Sequence, residues 1–340
     1  MINSGFWNKK RVFITGHTGF KGSWLCLLLD LLGAKVTGYA LAPPTKPSLF
    51  ELCKIKQLLT SIHGDVRDLP FLTKALKKAQ PEIVLHLAAQ PIVRHSYRVP
   101  VETFAINVMG TVNLLEAVSQ CQSVKSTVIV TTDKVYENTG KKAGYNEQEP
   151  LGGYDPYSSS KAAAELVASA YQRSYGLKIA TARAGNVIGG GDFATDRLVP
   201  DFIRSIINKK PIKIRHPKAV RPWQHVLEPL VGYLLLAKKT ATGAWNFGPT
   251  KRDVKTVEWV VKSLGKKWGV PVSSLGSTSA LHEAHHLALD SRKAMTKLDW
   301  QPKYKLEDSL NKIVAWSKAY LAGENMREVT IKQIQEYLHD

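Results

Sequence analysis

The stretch Thr15-Gly16-His17-Thr18-Gly19-Phe20-Lys21-Gly22 follows a short apolar run, Val12-Phe13-Ile14, and leads into Ser23-Trp24-Leu25-Cys26-Leu27-Leu28-Leu29. That order reads as strand, glycine turn and buried helix. Glycines at 16, 19 and 22 remove side chains where a diphosphate would approach backbone N–H groups at a helix N-terminus. The spacing, G-x-x-G-x-x-G, favours a dinucleotide site over the alternative of a tight, closely packed turn. The rest of the chain has to decide.

Working outward, apolar runs at 12–15, 35–39, 59–63, 83–87, 127–131 and 178–183 alternate with helical patterns at 22–32, 70–79, 101–120 and 158–175. Several runs are continuous rather than alternating, as expected for parallel strands covered on both faces. The pattern predicts an α/β fold: a Rossmann-like doubly wound parallel sheet with the glycine loop after its first strand. After residue 186 the pattern changes. Helices are expected at 198–208, 227–239, 256–269 and 306–320 and beyond 324, a short strand at 212–215, and a turn at Asn246-Phe247-Gly248-Pro249. The expected division is a dinucleotide-binding domain over 1–186 and a smaller C-terminal α/β substrate-binding lobe over 187–340.

Composition narrows the classes. The 340 residues are 44% hydrophobic, which fits a folded protein with a substantial core and argues against disorder. No window approaches the ~18 consecutive apolar residues that span a bilayer, so no membrane partner is expected. The start, Met1-Ile2-Asn3-Ser4-Gly5-Phe6-Trp7-Asn8-Lys9-Lys10, has no apolar core of a secretory signal. Cys26, Cys53 and Cys121 are scattered without metal or disulfide spacing, and a reducing cytoplasm is the expected home. The excess of 47 basic over 28 acidic residues, a net charge of +19, favours anionic partners. Lysine runs such as Lys77-Lys78 and Lys266-Lys267 are short and not interleaved with aromatics, so they read as solvated faces and no nucleic-acid partner is expected.

A second constellation is Tyr157-Ser158-Ser159-Ser160-Lys161. Tyr and Lys at i and i+4 share one helix face, and a nearby ammonium favours tyrosinate, so the pair can serve as a base. Thr132 lies 25 positions upstream, at the end of an expected strand, where its hydroxyl can donate to the oxygen that Tyr157 deprotonates.

Taken in order, the glycine loop, Thr132, Tyr157 and Lys161 resemble the extended short-chain dehydrogenase/reductases. From about residue 8 to 320 the chain is similar to their nucleotide-sugar branch, the NAD-dependent epimerases and dehydratases. The resemblance implies NAD as cofactor, contacted by Gly16, His17, Gly19, Phe20, Lys21 and Gly22, and by Tyr157 and Lys161. Gly64-Asp65-Val66-Arg67-Asp68 resembles the adenine-contacting segment, implying roles for Asp65 and Val66. His86-Leu87-Ala88-Ala89-Gln90 resembles the strand end beneath the cofactor, implying Leu87 and Ala88. Asn107-Val108-Met109-Gly110-Thr111 resembles the helix whose asparagine supports the active-site helix, which places Asn107 in the cofactor set. Substrate contacts are implied for Asn186, Arg197, Leu198, Arg221 and Asn246.

Thr131-Thr132-Asp133-Lys134-Val135-Tyr136 discriminates within the branch. Simple 4-epimerases carry small or neutral residues after the hydroxyl donor, whereas 4,6-dehydratases place an acid there. The resemblance implies oxidation at C4 of the sugar, loss of water across C5–C6 and return of hydride to C6, with Asp133 as the acid. Dehydratases acting on dTDP-glucose carry Asp-Glu here. Asp133-Lys134, with Ala42-Pro43-Pro44-Thr45-Lys46-Pro47-Ser48-Leu49-Phe50-Glu51, is similar to the branch acting on CDP-glucose, for deoxysugar and O-antigen lipopolysaccharide synthesis. Lys134 then becomes a candidate base at C5. The competing readings are a 4-epimerase and a basic nucleic-acid-binding protein that has lost catalysis. Helices 101–120 and 158–175 resemble the pair that forms a four-helix homodimer interface, and a homotetramer stays open. His282, His285 and His286 cluster around Glu283 but read as a polar loop, and no metal is implied. The second strand is followed by Ala40-Leu41-Ala42, with no acid for the adenosine 2′-hydroxyl. The cofactor is therefore expected to be held mainly through its diphosphate and to exchange readily.

Overall fold

A computed structural model describes residues 4–272, 274–276 and 285–339. Its strands are β1 (Arg11–Thr15), β2 (Lys35–Ala40), β3 (Thr60–His63), β4 (Ile83–His86), β5 (Ser126–Val130), β6 (Ile179–Ala184), β7 (Asn186–Ile188), β8 (Ile212–Ile214), β9 (Val220–His225), β10 (Gly243–Phe247), β11 (Val254–Thr256) and β12 (Ser274–Gly276). Seven of them form one parallel sheet in the order β10-β6-β5-β4-β1-β2-β3. The order reverses between β1 and β4, and at such a switch point a crevice opens outside the carboxyl ends of the strands. This is the doubly wound α/β architecture.

The central strands are apolar throughout because both faces are covered. Val12, Phe13 and Ile14 of β1 are buried, as are all residues of β4 and β5. One face packs on Trp24, Leu25, Leu27, Leu28 and Leu29 of the helix Phe20–Leu31 and on Leu227, Leu230, Leu234 and Leu236 of the helix Leu227–Lys238. The other packs on Leu72 and Leu76, Leu114 and Leu115, and Ala168. A separate core of Ile188, Phe202, Trp223, Val260, Leu264, Leu310 and Ile313 holds the lobe, whose small sheet is ordered β11-β9-β7.

Two features depart from expectation. The segment expected to turn at 246–249 is instead the end of β10, which pairs in parallel with β6, Asn246 opposite Arg183. Residues 187–340 therefore complete the main sheet as well as the lobe, and a boundary at residue 186 does not follow the sheet. The expected helix 101–120 is a helix Pro100–Phe104, a π-helical turn Ala105–Met109 and a helix Gly110–Ser119. No long apolar helix suited to crossing a membrane occurs among the described residues.

The C-terminal helix Met326–His339 is locked by Glu228, which is fully buried. Its carboxylate accepts from Lys303 N (3.1 Å), Tyr304 N (2.8 Å) and the Tyr337 hydroxyl (2.7 Å). Burial outweighs these bonds and pushes its pKa up to about 7 from 4.5. A carboxyl whose folded pKa is raised stabilises the fold while protonated, and that contribution drains away as pH climbs from about 4.5 to 7. Thermal melts of the parent and Glu228→Gln should therefore show the parent losing ground to the variant as pH rises from about 5 to 8. A pH-independent difference in Tm would refute the assignment.

Candidate functional site

The glycine loop is shaped by what it cannot accommodate. Gly16 has φ +76°, and a Cβ there would lie 2.6 Å from Ala88 N. A Cβ on Gly22 would meet Gly16 O at 2.2 Å, whereas one on Gly19 would meet nothing closer than 3.5 Å. Gly19 is the N-cap of the helix Phe20–Leu31 and supplies no side-chain cap, so amide N–H groups of the first turn are left for an anion. These features fit a dinucleotide diphosphate. Thr18 and His17 fasten the loop to β2 and its neighbours: Thr18 Oγ1 donates to Leu41 O (3.0 Å), and His17 Nε2 bonds Ser61 Oγ (2.8 Å). The His17 ring lies over Gly38, where any Cβ would fall 2.4 Å from it. Burial lowers the His17 pKa to about 4, so the ring is neutral. Its side chain is thus a packing element rather than a cofactor contact, because it is turned into the sheet.

Beneath the crevice, His86 bonds Thr15 Oγ1 (2.6 Å) and Thr111 Oγ1 (3.3 Å), and Thr15 Oγ1 accepts from Ala88 N (3.2 Å), which sets the Leu87-Ala88 backbone. Asp65 accepts from the Arg67 guanidinium (2.6 Å), which holds its carboxyl below the usual range, while neighbouring Val66 is buried against Gly110. Asn107 is buried and its amide is committed: Oδ1 accepts from Gln90 N (2.9 Å), and Nδ2 donates to Gln90 O (3.1 Å) and Ser160 Oγ (2.9 Å). It corrects the expected cofactor contact to a positioning role, since Ser160 lies between Tyr157 and Lys161.

The helix Pro156–Tyr175 carries Tyr157 and Lys161, capped by Asp155, whose carboxylate accepts from Ser158 N (3.0 Å). Thr132 ends the segment leaving β5; its hydroxyl donates to Asp133 Oδ1 (3.0 Å), and it lines the same cavity as Tyr157. Asp133 is buried, and its Oδ2 has no hydrogen-bond partner among the described residues. Burial raises its pKa, against the pull of Lys134, which moves it in the direction of the acid form. Lys161 Nζ donates to Val130 O (2.9 Å), and burial lowers its pKa to about 8. Burial raises Tyr157 to about 12. Desolvation is the largest influence on the phenol and works against its ionisation.

These groups open into one cavity of about 680 Å³. It is lined by Phe20, Lys21, Thr132, Asp133, Lys134 and Tyr157. Asn186, Arg197, Leu198 and Arg221 line it too. Burial, then the charges of Lys161 and Arg197, lower the Lys21 pKa to about 7. Arg221 is buried, and Arg197 pairs with Asp192 (2.9 Å). Asn246 does not line the cavity. It is fully buried, donates to Tyr145 O (2.8 Å) and Asp290 O (3.1 Å), and accepts from the Tyr136 hydroxyl (2.7 Å). That corrects the expectation of a substrate contact: no group of its amide is left for a ligand. Of the histidine cluster, His285 is exposed and the His286 backbone bridges Val220, while His282 and Glu283 lie outside the described residues.

Sequence reading missed Glu165. Its carboxylate accepts from Thr131 (2.6 Å), Thr181 (3.0 Å) and Arg183 Nη2 (2.5 Å), all buried behind the site. Its place four residues after Lys161, on the same helix face, was the available signal.

With this geometry in view, residues 13–313 match the family model described as GDP-mannose 4,6 dehydratase. The chain belongs to that family. It is 50% identical, over 99% of both chains, to the CDP-glucose 4,6-dehydratase of Salmonella typhimurium. It also superposes on DesIV, a dTDP-glucose 4,6-dehydratase from Streptomyces venezuelae crystallised with NAD and TYD. That match has a TM-score of 0.82 and 25% identity, covering 92% of this chain and 98% of that one. A UDP-glucose 4-epimerase from Thermotoga maritima, with a TM-score of 0.84 and 24% identity over 91% of this chain and 99% of that one, shares the fold.

In this member of the GDP-mannose 4,6 dehydratase family, Asn246→Ala would leave the Tyr136 hydroxyl proton and the Asp290 carbonyl without their partner, while Tyr145 O keeps its bond from Asp290 N (2.9 Å). Urea denaturation should show a loss of about 2–4 kcal/mol. An Asn246→Ala protein as stable as the parent would restore Asn246 as a candidate ligand contact.

Proposed function

We propose that this protein converts CDP-glucose to CDP-4-keto-6-deoxyglucose and water in an NAD-dependent 4,6-dehydration. The observation that carries the reading is the grouping of Thr132, Asp133, Lys134 and Tyr157 in one cavity beside the glycine loop, with Asp133 kept towards its acid form by burial. Identity of 50% to a CDP-glucose 4,6-dehydratase supports both reaction and nucleotide. A 4-epimerase would have no use for a carboxyl group beside the hydroxyl donor, and neither that reading nor a nucleic-acid role is favoured.

Phe20, Lys21 and the glycines before and after them would hold the cofactor diphosphate, and Lys161 and Tyr157 would face its reactive end. When bound, NAD accepts hydride from C4 and returns it to C6, and its positive ring opposes the burial that holds Tyr157 near 12. Tyr157 takes the proton of the C4 hydroxyl, with Thr132 fixing that oxygen by hydrogen bond. The ketone formed at C4 acidifies C5, and Lys134 is the candidate to remove the C5 proton. Asp133 gives its proton to the C6 hydroxyl, so the C6–O bond breaks with release of water rather than hydroxide. A proton then returns to C5 from solvent by way of the same base. Arg197 and Arg221 meet the diphosphate, which suits their planar donor forks.

The protein is proposed to act as a homodimer through the helices Gly110–Ser119 and Pro156–Tyr175 and their neighbours, where Val101, Met109 and Leu166 are exposed. Whether dimers pair into tetramers is read by light scattering. Its three free, buried cysteines suit a reducing cytoplasm, and the product suits deoxysugar and O-antigen lipopolysaccharide synthesis.

Incubation with CDP-glucose and NAD should yield a 4-keto-6-deoxy product with an alkali-induced absorbance, carrying solvent deuterium at C5. A gluco/galacto pair instead would sink the dehydratase reading. Asp133→Asn should slow water loss on the order of 10²–10⁴-fold, the usual weight of a general acid, while C4 oxidation stays measurable. Ordinary overall turnover by that variant would remove Asp133 from its role. With no acid after β2, NAD should leave during extensive dialysis, and stoichiometric retention would refute the diphosphate-dominated grip.

A further inference from the structure

At its rim the cavity carries charged contacts that the proposed reaction does not use. Asp196 Oδ1 accepts from Arg94 Nη1 (2.8 Å) and Arg215 Nη1 (3.0 Å), and Arg215 Nη2 donates to the Asp196 backbone carbonyl (3.4 Å). Arg94 stands on the short helix Val93–Arg98, which follows β4 on the cofactor side of the cleft, and Arg215 follows β8 in the lobe. Asp196 has φ +62°, a left-handed conformation that a residue with a side chain holds when its surroundings over-determine it. The rest of its loop is tied down from the lobe. Arg204 donates to Phe193 O (3.0 Å) and Ala194 O (2.9 Å), and Arg197 to Asp192 Oδ2 (2.9 Å). Residues 192–197 thus form a strap closed on itself by Arg197 and Asp192, sewn to the lobe by Arg204 and Arg215, and joined to the opposite wall by Arg94.

The strap's place gives these ties a consequence. Arg197 and Leu198, immediately after Asp196, line the cavity, so the pose of Asp196 sets theirs. The catalytic floor is closed, with Asp133 3% and Tyr157 8% exposed, whereas the Arg94 side chain is 45% exposed. An ion pair this open to water is screened and weak. It can break to admit a ligand and re-form behind it, which a buried pair could not do at comparable cost.

We infer that Arg94 is a positioning residue that acts through Asp196: it draws the 192–197 strap onto the cofactor-side wall, so that Arg197 and Leu198 close over the nucleoside diphosphate sugar. The inference rests on the dehydratase reading. The latch governs retention of the nucleotide more than chemistry at the sugar, because neither Arg94 nor Asp196 is placed against the reacting carbons.

The test is a double-mutant cycle on the full-length protein with NAD, using Arg94→Gln, Asp196→Asn and the double variant. Asparagine accepts the left-handed conformation readily, so Asp196→Asn removes the charge and leaves the loop able to fold. Readouts are KM and kcat for CDP-glucose, and the stopped-flow rate at which bound CDP is displaced. Each single variant should raise KM several-fold, by more than it lowers kcat, and speed CDP release to match. The double variant should be no worse than the weaker single, since the two residues act as one unit. Arg94→Lys, which keeps the charge, should recover part of the loss, and added salt should shrink the parent's advantage. Single-variant penalties that multiply in the double would mean Arg94 acts on its own and overturn the inference, as would a single variant with the parent's KM and release rate. If the parent itself neither binds nor turns over CDP-glucose, the dehydratase reading fails and takes this inference with it.

Discussion

The site depends on one buried ion pair, Glu165 with Arg183, each side chain 3% exposed. Glu165 stands on the helix that carries Tyr157 and Lys161, one turn beyond the lysine. Its carboxylate accepts from Thr131, the residue before Thr132, and from Thr181 and Arg183 on β6. Arg183 in turn donates to the Tyr136 hydroxyl (2.7 Å), which donates to Asn246 on β10. One pair thereby registers the active-site helix, the end of β5, the loop after Asp133 and the edge strand against one another. Such a pair says little about net stability, because two charges lose their hydration to form it. Removing one partner, however, costs about 3–5 kcal/mol, and that asymmetry enforces a single arrangement. The spacing between Thr132 and Tyr157 is therefore fixed from behind, by residues that touch no ligand.

A second constraint acts at the other end of the crevice, and it is steric. Gly16 and Gly22 exclude a Cβ because the backbone of Ala88 and the loop itself occupy the space. Gly38 excludes one because His17 does. The histidine therefore fills the region beside β2 with a neutral ring. In the proposed cofactor site this leaves the amides at the start of the helix Phe20–Leu31 and the strand ends beneath it, a set suited to a diphosphate.

Most of the main sheet was legible in sequence because its strands are doubly covered, and Val12-Phe13-Ile14 or Ile83-Val84-Leu85 admit few other readings. β10 was not legible. Asn246-Phe247-Gly248-Pro249 has turn chemistry, and only the open edge of β6, with Arg183 and Tyr136 waiting for a partner, makes its first half a strand. β9 was missed for a related reason: Arg221, Gln224 and His225 are polar in sequence yet buried, Arg221 lining the cavity and Gln224 Nε2 donating to Phe247 O (2.7 Å) on β10. The π-helical turn at Ala105–Met109 has no local signal, although it carries Asn107, which bonds Gln90 and Ser160. The site divides the same way. Contiguous groups such as Thr132-Asp133-Lys134 were readable, whereas Glu165, Arg94 and the true role of Asn246 depend on contacts far apart in sequence.

The electrostatics of the cavity and the proposed chemistry bear on each other. Burial pushes Asp133 towards its acid form and Lys21 and Lys161 towards their neutral forms, so the enclosed space sheds charge of both signs. A diphosphate entering beside Arg197 and Arg221 brings negative charge into the same low-dielectric volume. That charge raises the proton affinity of every group near it. It draws Lys21 and Lys161 back towards their cationic forms and raises the Asp133 carboxyl further, the direction that suits the acid role proposed for it. Ligand binding and catalytic protonation are thus set by one field. The +19 net charge of the chain then has a local counterpart, in that the cavity is built to be completed by an anion.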